Sequence, residues 1–213
     1  MKNILITLLT FITLVSVAQQ DKSISMWYQS PMMYNAGSVA TGAEDFGFFT
    51  NFRMQWLPLT KMRTNVLNAN FKIPDGFMGS NNFGLGLNVM QDVTAGGVNN
   101  LSYTTNTISI PINYTLALDN RNKLSVGVSP GFIQQSYTPN HTWEDQWQGS
   151  GFNGTSSETG FNSSFSTIDI STGLFYQHSM RNRTLLYGGV ALNHINKPKL
   201  NFSFGSDRLY MQT

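Results

Sequence analysis

Cysteine is absent from the 213-residue chain, so no disulfide framework, thiolate metal site or lipidated N-terminal cysteine can be built. Charge is scarce as well: Asp, Glu, Lys and Arg make up 11% of the residues, and the mean hydropathy is -0.18. A salt-bridged soluble surface needs more charge than this, and a greasy helical bundle needs more hydropathy. The formal net charge of +2 is scattered along the chain, with no Lys/Arg-rich face for nucleic acid. Long apolar runs are missing too. The longest, from Ile4 to Val17, falls short of the roughly 20 residues a spanning helix requires.

That run follows Met1 and Lys2 and leads to Ser16 and Ala18, the pattern of an export signal cleaved after Ala18. The expected organisation is a signal peptide over residues 1–18 and one domain over residues 19–213. Polarity in that domain comes from Asn, Ser, Thr, Gln and Gly. These are the residues that alternate with apolar ones along strands facing lipid on one side and water on the other.

The alternation is there. Phe46, Phe48, Phe52, Met54 and Trp56 share one face, opposite Gly47, Asn51, Arg53 and Gln55. Phe83, Leu85, Leu87 and Val89 repeat the pattern, and Ile108, Ile110, Ile112, Tyr114, Leu116 and Leu118 extend it. Leu124, Val126, Val128 and Phe132 follow, then Ile168, Ile170, Leu174 and Tyr176, then Leu186, Val190 and Leu192. A weaker strand runs between Arg63 and Lys72. Seven strands are expected, with an eighth candidate near Leu200 to Phe204. Pro111 predicts a bulge or an opened register, and the shift of apolar parity from Phe132 to Ile133 predicts a β-bulge.

Asp119–Asn122 and Met180–Arg183 read as tight turns on one side of the sheet, and the segment from Thr138 to Ser164 as a long loop on the other. Tyr114, Tyr137, Tyr176, Tyr187 and Trp56 are candidates for an aromatic belt at headgroup level. The fold class that results is all-β, an antiparallel transmembrane outer-membrane β-barrel. Bacterial barrels use an even number of strands, so the reading is of a barrel incomplete at the C-terminus, or of a small eight-stranded one.

The region from Gln20 through Lys199 resembles the PorP/SprF-like membrane proteins of the type IX secretion system of Bacteroidetes. The carriers are Met26-Trp27-Tyr28, Met33 to Gly37, Phe52 to Trp56, the Gly-rich stretch Phe83 to Asp92, and His194-Ile195-Asn196-Lys197-Pro198. The family's Asn-Pro-Ala step is replaced here by Tyr34-Asn35-Ala36, with Pro31 upstream as a substitute turn-setter. The resemblance implies a non-enzymatic outer-membrane component that supports secretion or surface anchoring of adhesin-type cargo. Its implied partners are membrane lipid, exported cargo and other secretion-system subunits.

Candidate sites are few, and no cofactor is implied. His141, His178 and His194 lie in separate segments without ligand spacing, so no metal site is expected. His178 with Ser166 or Ser171 sketches a hydrolase pair, which carries little force in so serine-rich a chain. Arg53 and Asp169 fall on polar strand faces as lumenal charges, either hydrated or paired across the lumen. Trp143, Glu144, Asp145 and Trp147 mark a loop that either contacts partners or folds back into the barrel. The alternative function is a porin whose lumenal polar residues line a water path.

Overall fold

In the computed structural model the described residues are 24–42, 44–56, 60–73, 83–96, 101–137, 146–151, 164–181, 184–200, 207–209 and 211. The expected signal peptide lies outside them.

The main body is one antiparallel sheet. Its strands are β1 (Phe46–Gln55), β2 (Thr60–Lys72), β3 (Phe83–Gly96), β4 (Leu101–Ser109), β5 (Ile112–Ala117), β6 (Asn122–Tyr137), β7 (Ser164–Ser179) and β8 (Leu185–Leu192). The order is β1-β2-β3-β4-β6-β7-β8, with β5 placed beyond β4 between β3 and β6. β4 and β5 are therefore two halves of one ladder position, and the seven positions coincide with the seven expected strands. Among the described residues the sheet is not closed, since β1 pairs only with β2 and β8 only with β7.

The division between β4 and β5 falls at Ile110–Pro111, where proline removes a ladder donor. No residue is inserted. Ser109 faces Asn88 and Gly131, and Ile112 faces Leu85 and Val128, so the register is the same on both sides of the break. Neighbours still use the groups that remain: Gly86 N–H donates to Pro111 O at 2.7 Å and Ile110 N–H to Pro130 O at 2.9 Å. The bulge expected after Phe132 is absent. Gly131, Phe132 and Ile133 each face one residue on either side, Ser109, Ile108 and Thr107 on β4 and Asp169, Ile168 and Thr167 on β7. Ile133 is a buried apolar residue on the inner face, which accounts for the apparent change of parity without an extra residue.

Connections follow the expected sides. Asn122 pairs with His178, and Ser179 N–H donates to Arg121 O, so the two tight turns lie together at one end. Ser136 pairs with Ser164, which puts the 138–163 connection at the other end. Residues 57–59 and 97–100 connect strands at that same end, so not every connection there is long. Of the eighth candidate strand only Leu200 falls among the described residues. Leu200 belongs to a separate two-residue pairing of β9 (Lys199–Leu200) with β10 (Asp207–Arg208), and 201–204 lie outside the described residues.

Along most of the sheet apolar side chains point outward and polar ones inward, with Val66, Ile133 and Phe175 as inward apolar exceptions, the reverse of a water-soluble fold. Phe52 is 73% exposed and Val190 66%, while Asn68 is 1% and Ser125 0% exposed. Three adjacent strand positions carry outward apolar bands in register. Ile108, Phe132 and Ile168 align at one rim, and Leu116, Leu124 and Tyr176 at the other. Beyond the first rim the outward residues become Asn106, Gln134 and Ser166, and beyond the second they become Asn122 and His178 on β6 and β7. Thr172, inside the β7 band, donates its hydroxyl to Gly127 O at 2.7 Å, so it leaves no open donor among the apolar groups.

Of the aromatic residues expected at headgroup level, Trp56, Tyr114 and Tyr176 lie on the outward parity. Tyr137 and Tyr187 fall on the inward one, and Tyr187 stacks tilted against Phe175 with centroids 5.7 Å apart.

Candidate functional site

What covers the inner face is the chain's own N-terminal segment. Three single-turn 3-10 helices, Trp27–Gln29, Pro31–Met33 and Ala36–Ser38, run ahead of β1, and the last packs against β5, β6, β7 and β8. Pro31 occupies the first position of its turn and its carbonyl accepts from Tyr34 N and Asn35 N, both at 3.0 Å, the turn-setting part assigned to it from the sequence. Asn35 then caps the following turn, its Oδ1 accepting from Gly37 N at 2.8 Å.

Inward carboxamides hold this segment by its main chain. Asn113 Nδ2 donates to Gly37 O at 3.0 Å and Val39 O at 2.7 Å, Asn88 Nδ2 to Met32 O at 3.4 Å, and Gln177 Nε2 to Thr41 O at 3.1 Å. Asn68 Nδ2 donates to the Ser30 hydroxyl. In the other direction, Asn35 Nδ2 donates to Leu174 O at 2.9 Å. Each carboxamide hydrogen bond of this kind contributes about 1 kcal/mol net, and the larger effect lies in not burying the donors unpaired.

Glycine makes the approach close enough. A Cβ on Gly127 would lie 2.3 Å from the Ala36 carbonyl atoms, and one on Gly173 2.0 Å from Asn35 Oδ1. At Gly127 the clash is with main chain, so no side chain fits there while the segment is seated; at Gly173 it is with the Asn35 side chain, which would have to leave its capping position. Ala36, Gly37, Ser38 and Val39 are all buried there.

Charged groups join the carboxamides on the inner face at two places among the described residues. Arg53 donates from Nη2 to Thr64 Oγ1 at 3.5 Å, and the Thr64 hydroxyl donates to Asp92 Oδ1 at 2.6 Å, which links β1, β2 and β3 along one row of the ladder. Asp169, on β7, accepts from His194 Nδ1 at 2.8 Å, with both side chains buried. The two charges named from the sequence thus have different partners: Arg53 works with Thr64, and Asp169 with His194. Asp92 and His194 escaped notice as inner-face groups because their partners lie 28 and 25 residues away in the chain.

His194 is delivered by the segment after β8. It adopts a left-handed backbone (φ 55°), as does Lys197 (φ 44°), and these two reversals let Asn193–Asn196 run along the open margin of β7. There Ile195 N–H donates to Ile170 O at 2.9 Å. The Asn196 side chain acts like a peptide group, accepting from Ile170 N at 3.1 Å and donating to Ile168 O at 2.7 Å.

Trp143, Glu144 and Asp145 lie outside the described residues, as does His141. Trp147 is described and is 53% exposed. His178 is not near a nucleophile. Ser166 sits at the far end of the same strand, about 40 Å away at strand rise, and Ser171 is on the opposite face. His178 Nδ1–H and the Tyr176 hydroxyl both donate to Asn122 Oδ1, at 2.7 and 2.6 Å, beside the turn closed by Asp119. Three hydrogen bonds from that turn, with the Asn122 side chain the strongest contributor, hold the Asp119 carboxyl below its ordinary pKa.

A family model described as type IX secretion system membrane protein PorP/SprF matches residues 16–212, nearly the whole chain. No curated protein matches it. No solved structure matches it either.

Proposed function

Because the chain belongs to the PorP/SprF family of type IX secretion system membrane proteins, we propose that it works in the outer membrane as a β-barrel component that supports secretion or surface anchoring of exported, adhesin-type proteins. It acts by binding rather than turnover, in contact with membrane lipid, exported cargo and other subunits of the system.

The inverted sheet carries this reading. Outward apolar bands run from Ile108 to Leu116, Leu124 to Phe132 and Ile168 to Tyr176, nine residues each. A tilted membrane strand uses about 9–11. Polar residues flank the bands on β6 and β7, as headgroup-level positions require. A hydrated face outside and an apolar core inside would be needed for a soluble sheet, and the chain has the opposite arrangement.

A porin is the competing function. It requires an open water path along the inner face, where this chain instead places residues 30–41 against Asn113, Asn88 and Gln177. That arrangement favours a role in protein binding.

The test is affinity purification of the tagged protein from outer membranes in mild detergent, followed by mass spectrometry, with the gene deletion in parallel. Recovery of secretion-system subunits or a large exported protein is expected, together with loss of surface adhesin from the deletion strain. A partner-free barrel with stable conductance in planar bilayers, and unchanged secretion in the deletion strain, would replace this reading with the porin.

A further inference from the structure

Residues 30–41 meet the inner face in two ways: Met32 and Val39 bury side chains over Gly86, whereas Ala36–Ser38 lie against it with main chain. The contact at Ala36–Ser38 is backbone against backbone: a Cβ on Gly37 would sit 2.9 Å from Gly173 O and 3.1 Å from Phe175 N. The opposing surface is bordered by Asn68, Asn88, Asn113 and Gln177, and where it is floored by Gly127 and Gly173 it fits a polypeptide whose residues are small.

The hydrogen bonding is one-sided. Asn68 and Asn113 give their NH2 groups to the segment and Asn88 divides its own between Met32 O and Ser109 Oγ, yet the Oδ1 atoms of all three, all buried, accept no hydrogen bond among the described residues. The segment has little to offer those oxygens. Its 3-10 turns keep their N–H groups for themselves, Gly37 N to Asn35 Oδ1, Ser38 N to Asn35 O and Val39 N to Ala36 O. An extended peptide has free N–H groups as well as carbonyls, and so can meet both ends of each carboxamide.

We infer that this glycine-floored, carboxamide-lined strip is a binding site for a second polypeptide segment, extended and with small residues where it crosses Gly127 and Gly173, and that residues 30–41 are its resident, displaceable occupant. This deepens the proposed function, on which it rests for the source of the segment: a stretch of the exported protein takes the place of the resident one.

The test keeps the whole chain and cuts it once. A protease recognition sequence is inserted at Gly42, which is exposed and has nothing within 4 Å of its Cβ direction. After cleavage in nanodiscs, a fluorescein-labelled synthetic peptide of residues 30–41 is added and its anisotropy followed. Saturable exchange is expected, and displacement of the labelled peptide by an unlabelled Gly/Ser/Thr peptide of the same length. A Gly37→Ala version of the labelled peptide should bind about tenfold more weakly or worse, the scale of overpacking a tight contact. Gly127→Val in the protein should abolish exchange, whereas Gly188→Ala, which meets nothing within 4 Å, should leave it intact.

Failure of the nicked protein to exchange with excess peptide would overturn the inference, as would equal competition by a Leu-rich peptide. If Gly127→Val does not fold, the Gly37→Ala peptide decides alone. Co-purification with secretion-system subunits but no peptide exchange sinks only this inference. Exchange with no co-purifying subunit or exported protein leaves the site standing and removes the secretion role.

Discussion

His194 Nδ1 lies 2.8 Å from Asp169 Oδ1, a buried contact made between residues 25 apart, one on a strand and the other on the left-handed turn that follows its neighbour. Because the carboxylate is held on an inner face, its partner matters more than at a surface. His194→Ala should destabilise the folded protein by about 3 kcal/mol, the usual scale for stripping one member of a buried pair. The double variant with Asp169→Asn should recover part of that loss. Urea unfolding in detergent, followed by tryptophan fluorescence, measures both. Additive losses in the double-variant cycle would show that the contact carries no coupling.

Asn196 binds the main chain of β7 at both Ile168 and Ile170. Asn196→Ala is expected to cost roughly 1–2 kcal/mol and to speed hydrogen exchange at the Ile170 amide, while amides in the middle of β6 stay protected. An unchanged Ile170 amide would mean that the segment following β8 does not depend on this side chain.

Asp119 supplies a pH dependence whose sign is fixed by its depressed pKa. Its contribution to the turn is complete above the ordinary carboxylate value of 3.8 and is lost as pH falls through the lower folded value. A carboxyl carbon titration should therefore inflect below 3.8, and Asn122→Ala, which removes the largest cause, should move the inflection upward. An inflection at or above 3.8 in the unaltered chain would refute the hydrogen-bonded turn.

The outward bands predict a depth-dependent penalty. Val128→Lys, at the middle of the β6 band, should cost about 2–4 kcal/mol in folding into bilayers, and Gln134→Lys, beyond the rim, about 0–1 kcal/mol. Both positions are outward on the same strand, so equal penalties would argue against a membrane around this band. Urea titration in lipid vesicles makes the comparison.

Alternation made the strands legible. Along β1, β5, β6 and β7 a period of two admits one structural reading, and the seven ladder positions follow from residue order alone. Pro111 was readable as a break because proline lacks a donor wherever it stands. At Ile133 the same logic failed: one inward apolar residue mimicked a slipped register, since alternation records polarity and not direction.

The N-terminal segment was beyond such reading. Ala36, Gly37 and Ser38 have no periodicity, and their burial exists only because Gly127, Gly173 and Asn113 arrive from strands far along the chain.

What the sequence determined by itself is the set of strands, their two faces and the tight turns, because each depends on neighbours a few residues apart. Tertiary structure alone decided that Asp169 meets His194, that Thr64 joins Arg53 to Asp92, and that residues 30–41 lie on the inner face. Those contacts depend on register between strands and on where glycine leaves room, and neither is written in any one stretch of chain.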